Sequence, residues 1–342
     1  MSDNFNSLIF KITEKYIDPI SGHNFDEKNP DITVTSKNGN VNISIIANKK
    51  KESEYNEIAE KIKNELLQLD NIFSVNVILT SEHEAKEEQN RFKINAKNII
   101  AIASGKGGVG KSTFAVNFAS ALSKLNNRVG ILDADIYGPS IPRMMGLSSK
   151  PKIVNNKMIP LINYGIKCMS IGFLVDSETP AIWRGPMVMK ALEQMYNGVE
   201  WGNLDYLVID LPPGTGDAQL TLAQSSKLTG SIIVSTPQDV ALIDARKGIN
   251  MFKKVGVEIL GIVENMSYFI CDSCKTKHEI FAHGGVKKEA EKFKINFLEE
   301  LPIDIETRTN SDDGTPVFLA SPQNEISKKY LSIAKKIHSH KS

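Results

Sequence analysis

The sequence predicts an α/β fold in which a mostly parallel sheet is covered by helices, preceded by a small α+β domain. Three observations carry the prediction. From Asn98 onward, short apolar runs alternate with helical patterns. A glycine-rich turn ending in Lys-Ser stands where the first of those runs meets the first helix. Residues 1–82 lack that alternation and carry a hairpin signal instead.

Taken in order, residues 5–16 read as a short helix, and Asp31–Thr35 and Val41–Ala47 as strands across a turn at 37–40. Ile58, Ala59, Ile62, Leu66 and Leu69 recur at helical spacing, and Ile72–Leu79 reads as a strand. Residues 83–97 are rich in charge and poor in apolar side chains, as an exposed linker would be. Residues 98–342 form the second domain. In it, Ile99–Ala103, Arg128–Leu132, Tyr206–Ile209, Ser231–Ser235 and Val257–Val263 suit strands buried on both faces. A helix is expected from about Lys111 to Leu125.

The 342 residues carry 41 Lys+Arg against 40 Asp+Glu, so no global charge draws the chain to nucleic acid or an anionic membrane. Met1–Ile20 has neither the basic start nor the apolar run of a signal peptide. No stretch reaches the roughly 18 uninterrupted apolar residues of a membrane span. Three cysteines argue against a disulfide scaffold. The expectation is a cytoplasmic protein with no nucleic-acid partner and no stable membrane binding.

The turn reads Gly105-Lys106-Gly107-Gly108-Val109-Gly110-Lys111-Ser112, followed by Thr113. Its glycines let backbone N–H groups wrap phosphates, and the helix that follows adds about half an elementary charge at its N-terminus. Lys111 is expected on the β/γ-phosphates of ATP and the Ser112 hydroxyl on Mg²⁺. These residues make the fold a P-loop NTPase. Asp210 closes Leu207-Val-Ile-Asp210, where a strand-end carboxylate can hold Mg²⁺. Ile131-Leu-Asp-Ala-Asp135 is expected to end another strand, with Asp135 orienting the attacking water and Asp133 supporting it at the metal. Residues 211–217 then form a switch loop that senses the γ-phosphate. Aspartates at strand ends also cap helices, so each assignment competes with a purely structural role.

Cys271-Asp-Ser-Cys274 is the second chemical motif. Two thiolates with two residues between them can face one metal centre but supply half of a four-thiolate site. A half zinc site and a redox pair remain alternatives. A two-fold axis between identical chains would supply the missing ligands. His278 and His283 follow, without the spacing of a zinc finger. Cys168 lies in a strand-like run and is expected in the core.

The loop, with its second lysine Lys106, resembles the deviant phosphate loop of the MinD/ParA/nitrogenase-iron-protein superfamily. Together, Trp183-Arg-Gly-Pro186, residues 133–142 and residues 201–217 resemble the Mrp/ApbC family of iron–sulfur cluster carrier ATPases over about 98–337. That resemblance implies a homodimer in which Lys106 reaches the partner's nucleotide. It also implies Asn265 and Pro302 near adenine, and a bridging [4Fe–4S] cluster on Cys271 and Cys274. The partners it implies are apo iron–sulfur proteins and a cluster-assembly scaffold. A positioning ATPase of the MinD/ParA kind and a zinc-bridged dimer are the competing readings. The first domain resembles an iron–sulfur-assembly domain, but residues 1–97 contain no cysteine, so thiol chemistry there is excluded and docking remains. The last helix, 325–339, carries Ile326, Tyr330, Ile333, Ala334 and Ile337 on one face, which favours packing on the ATPase domain over membrane binding.

Overall fold

A computed structural model describes residues 2–37, 39–48, 51–69, 72–81, 94–174 and 185–341. The chain divides into two compact units, Met1–Asn90 and Arg91–Ser342. Asn38 of the expected turn, Trp183, Arg184 and most of the expected linker lie outside the described residues.

In the first unit, α1 (Ser2–Thr13) and α2 (Glu52–Leu66) accompany a sheet of β1 (Ile32–Lys37), β2 (Asn40–Ala47) and β3 (Ser74–Ser81). β1 and β2 pair antiparallel as a hairpin, whereas β2 and β3 run parallel with α2 as the crossover. Alternate residues Val41, Ile43, Ile45 and Ala47 of β2 are buried, the period expected of a strand with one covered face. The helix of residues 52–66 starts earlier than its apolar spacing indicated, because Glu52 and Glu54 are polar first-turn residues that suit a helix N-terminus.

The second unit holds β4 (Ala96–Ala103), α3 (Lys111–Lys124), β5 (Val129–Asp133), α4 (Ile141–Met144), β6 (Ile153–Val154), β7 (Lys157–Met158), β8 (Leu161–Asn163) and β9 (Ile166–Ser170). It continues with α5 (Gly185–Asn197), β10 (Leu204–Asp210), α6 (Asp217–Ser225), β11 (Gly230–Ser235), α7 (Asp239–Lys254) and β12 (Ile259–Glu264). It ends with β13 (Phe269–Ile270), β14 (Lys277–His278), α8 (Gly285–Phe293), β15 (Phe297–Glu300), α9 (Ile305–Asp312), α10 (Val317–Ala320) and α11 (Glu325–Lys341). Ala96 and Lys97, expected in the linker, already belong to β4: their backbone joins the ladder with β10 although their side chains are not core-like.

Eight strands form one sheet in the order β15-β12-β11-β4-β10-β5-β9-β8. Every pairing is parallel except β8–β9 at one edge. β4 is central, with β10 and β11 as neighbours, so the loop after it opens at the C-terminal end of the sheet, where open α/β folds bind ligands. Burial on both faces explains the continuous apolar runs: β11 is buried at every position. α3 packs on this sheet and is itself covered by α11, with the Phe114 and Tyr330 rings 5.9 Å apart. Ile326, Tyr330, Ile333, Ala334 and Ile337 are all buried, as the apolar face of α11 implied. Cys168 is fully buried in β9, which pushes its thiol well above the usual range. No described helix is long and apolar enough to cross a membrane.

Candidate nucleotide-binding and metal-binding sites

The phosphate loop spans the gap between β4 and α3. Gly110 has φ +81°, in the region that favours glycine, and stands at the N-terminus of α3. A Cβ there would come 2.2 Å from Asn265 Nδ2. Asn265 Nδ2 donates to the Val109 carbonyl at 2.8 Å, so this side chain braces the loop itself. A Cβ at Gly105 would collide with the Asp244 backbone of α7 at 2.2 Å, whereas at Gly107 it would meet open space. Gly105 therefore permits a close helix approach, while Gly107 and Gly108 are solvent-exposed and leave their side of the loop open.

Lys111, the first residue of α3, points into the protein. Its ammonium lies 2.5 Å from Asp210 Oδ1 and 3.4 Å from Ser112 Oγ, with Lys111 and Asp210 both buried. The register of β5 and β10 sets Asp133 directly beside Asp210. Asp133 accepts from the Ser170 hydroxyl at 3.0 Å and from the Ile141 N–H at 3.2 Å. Burial pushes the Asp133 carboxyl up to about 7, and the Asp210 charge adds to the rise. Burial raises Asp210 too, against the downward pull of Lys111 and Ser112.

Asp210 Oδ2 is buried without a hydrogen-bond partner among the described residues. Leaving a buried acceptor so costs about 1–3 kcal/mol, more for a charged group. A divalent cation beside it removes that cost, so the orphaned oxygen, Ser112 and Asp133 fit Mg²⁺. Lys111 balances the Asp210 charge, and a polyphosphate would offer its ammonium a second anion.

Asp135 is not the end of a strand. β5 stops at Asp133, and Asp135 follows in a loop, where its Oδ1 accepts from the Gly138 N–H at 3.3 Å. The Asp135 N–H donates to Asp133 Oδ1 at 3.2 Å, which keeps it beside the carboxylate pair, and its charge contributes to raising Asp210. Lys106 is half-buried and its ammonium has no ion pair among the described residues. Sequence reasoning missed the ties between the loop and residues 211–217. The Gly214 N–H donates to the Ser104 carbonyl at 3.0 Å, the Ser104 hydroxyl donates to the Lys106 carbonyl at 2.9 Å, and the buried Gln219 amide donates to the Pro212 carbonyl. A serine just before the loop and a glutamine just after the switch segment were the available signals.

The cysteine pair is built differently. β13 and β14 form a short antiparallel hairpin, Phe269 opposite His278 and Ile270 opposite Lys277. Within it the Cys271 N–H donates to the Thr276 carbonyl at 3.0 Å, and the Lys275 N–H returns to the Cys271 carbonyl at 2.8 Å. Lys275 takes φ +59°, which closes the turn. Cys271 is half-buried and Cys274 exposed. The hydrogen bond between Cys274 Sγ and Thr276 Oγ1, at 3.3 Å, is the main cause that holds the Cys274 thiol down at about 7. Both sulfurs thus belong to one largely exposed turn, and two thiols there fit half of a four-thiolate iron–sulfur site. His283 does not join them: its Nε2 lies 2.7 Å from Glu300 Oε2. His278 contributes only a minor share to lowering Cys274. Pro302 follows β15 and leads into Ile303, which bridges to Phe269 of the hairpin.

A central strand, a phosphate loop, a buried lysine and paired strand-end carboxylates define a P-loop ATPase. The sequence profile of the NUBPL iron-transfer P-loop NTPases, within the ParA group, matches residues 95–338, and the chain belongs to that family. It is 54% identical over 243 residues to the iron-sulfur protein required for NADH dehydrogenase, mitochondrial, of Arabidopsis thaliana, covering 70% of this chain and 78% of that one. It is 47% identical over 289 residues to the iron-sulfur cluster carrier protein of Escherichia coli K12, covering 83% and 78% respectively. A solved nucleotide-binding protein of Archaeoglobus fulgidus, in complex with ADP, shares 38% identity at a TM-score of 0.60, covering 72% of this chain and 95% of that one. Pyrococcus furiosus MinD, 20% identical with a TM-score of 0.54 over 71% of this chain and 99% of its own, shares the fold.

Proposed function

We propose that this chain is a cytoplasmic ATP-dependent carrier of iron–sulfur clusters, which holds a [4Fe–4S] cluster as cargo between two copies of itself and hands it to apo-proteins. The observation that carries the reading is the exposed hairpin with Cys271 and Cys274, two thiols on a P-loop ATPase of an iron-transfer family. Two copies would complete the four thiolates, and an accessible turn suits a cargo that must leave. Lys111, Ser112, Thr113 and residues 105–110 would hold ATP, with Asp133 and Asp210 at Mg²⁺ and Asp135 near the attacking water. Lys106, free of ion pairs among the described residues, would reach the partner's nucleotide, and Asn265 and Pro302 would border adenine. Nucleotide turnover would act on the hairpin through residues 211–217, whose tie to Ser104 couples them to the phosphate loop. The cysteine-free domain at 1–82 would dock an assembly scaffold, with 83–95 as its tether.

Anaerobic reconstitution followed by transfer to an apo-[4Fe–4S] enzyme tests the reading. The expected result is activation of the apo-enzyme at a rate that changes when ATP is added. A loaded carrier that never activates it, or purified protein that binds zinc but no cluster, overturns the proposal.

A further inference from the structure

Beside the cysteine hairpin lies a groove of about 750 Å³, bordered by β13, the segment 302–304, α9 and the start of α11. Its apolar lining includes Phe269, Ile270, Ile303 and Ile305, and Ile270 and Ile305 are 46% and 53% exposed. Its charged lining consists of Asp272, Asp304, Glu306 and Glu325, with no lysine or arginine among them. The groove thus joins exposed aliphatic surface to charge of a single sign. Asp272 stands between the two cysteines in sequence.

Among the described residues, two of the four carboxylates accept only from neutral donors. Asp304 accepts from the Thr307 N–H and hydroxyl, both at 2.6 Å, and Glu306 accepts from the Ser321 hydroxyl at 2.6 Å and the Asn324 amide at 2.5 Å. Those donors are neutral. Glu325 instead pairs with Lys328 at 2.6 Å. The lysines over the Tyr268 ring, Lys277 and Lys329, turn to Glu300 and Glu299 at 3.8 and 3.1 Å. An apolar floor with an acidic rim complements one kind of occupant, a polypeptide segment that alternates aliphatic and cationic side chains.

We propose that this groove docks a basic, aliphatic segment of the apo-protein that receives the cluster, and so brings its acceptor site to Cys271 and Cys274. The inference rests on the carrier reading and names the partner's surface chemistry. It also implies that recipients are selected at the cargo end of the ATPase unit. Long-range attraction to the acidic rim would make docking salt-sensitive, while the aliphatic contacts would set how long it lasts.

The test uses the full, cluster-loaded chain and two short fluorescein-labelled peptides, one alternating leucine with lysine and one leucine with glutamate. Binding by the cationic peptide alone, weakened by salt, is expected. Glu306→Gln, which removes charge at constant size, and Ile305→Ser are each expected to weaken it about tenfold, equivalent to about 1.4 kcal/mol. Both variants should keep ATPase rate, cluster absorbance and melting temperature, and raise the concentration of apo-enzyme needed for half-maximal transfer. Equal binding of the two peptides, or variants that bind and transfer as the parent does, overturns the proposal. A drop in dimer mass in the variants also overturns it, because the groove would then be a surface between copies. Failure of the parent to load or transfer a cluster counts against the carrier reading instead, and peptide binding still reports on the groove.

Discussion

The phosphate loop and the cysteine hairpin belong to one unit of this chain, and they are held in opposite ways. Lys111, Asp133 and Asp210 are buried at the ends of strands that are themselves buried on both faces. Cys271 and Cys274 sit on a turn between two strands of two residues each, the first half-buried and the second open to solvent. Charges that must act together in a dry site need a rigid frame, since buried ions without fixed partners are costly. Thiols that exchange a cargo need access, and a hairpin held by few hydrogen bonds gives it. The ATPase end is preorganised, whereas the hairpin, on the proposed reading, takes its remaining ligands from elsewhere.

The comparison is broken most sharply by removing the chemistry of one end at a time. Cys271→Ala with Cys274→Ala is expected to abolish cluster absorbance after anaerobic reconstitution and leave melting temperature and ATPase rate nearly unchanged. A parallel loss of stability would mean that the hairpin belongs to the folding core. Lys111→Ala should behave in the reverse manner: cluster binding persists, while hydrolysis falls by about 10²-fold or more, as when a group that stabilises transition-state charge is lost. It should also destabilise the fold, since breaking a buried pair costs about 3–5 kcal/mol. Asp210→Asn added to Lys111→Ala removes the uncompensated charge and should restore stability without restoring hydrolysis, as chemical denaturation and phosphate release would show. Recovery of neither would place the role of Lys111 in packing.

The two ends were also unequally legible in the sequence. Gly105 to Ser112 follows a continuous apolar run and precedes a helix, so backbone and phosphate chemistry are written in adjacent residues. β4, β5, β10, β11 and β12 showed as apolar runs because both faces are covered. The edge strands β8 and β15 are short and partly exposed, and did not. The neighbourhood of Asp133 and Asp210 depends on strand order, which places β10 between β4 and β5 although it follows both by many residues. Nothing local encodes that adjacency. Asp135 was expected at a strand end, but β5 stops at Asp133 and the chain bends over 136–138, although the Ala134 N–H still donates to the Asp210 carbonyl. Asn265 shows the same limit, since its hydrogen bond to Val109 joins residues 156 apart in the chain. At the hairpin, Cys271 and Cys274 were visible at once, but the role of Thr276 comes from a turn closed by Lys275 at positive φ, which residue type alone does not announce.

A pH-dependent effect concerns the carboxylate pair and separates a resting site from a loaded one. Asp133 has its carboxyl raised to about 7, mainly by burial and further by Asp210. A group whose folded pKa lies above its unfolded value stabilises the fold fully below the unfolded value, about 3.9 for aspartate. That contribution falls as pH rises and is gone above the folded value, because the unfolded chain releases the proton first. Asp133→Asn stays neutral throughout and is nearly the same size, so it lacks this dependence. In nucleotide-free protein, the melting temperature of the parent relative to Asp133→Asn should therefore decline from about pH 4 to pH 7 and level off above it. Mg²⁺ and nucleotide favour the ionised carboxylate and should flatten the decline. A difference that does not change with pH in the free protein would mean that Asp133 is already ionised at rest, its charge held by Lys111 together with that of Asp210. The ATPase end would then be preorganised as an ionised cluster awaiting its metal, rather than as a protonated pair that gives up a proton when the metal binds.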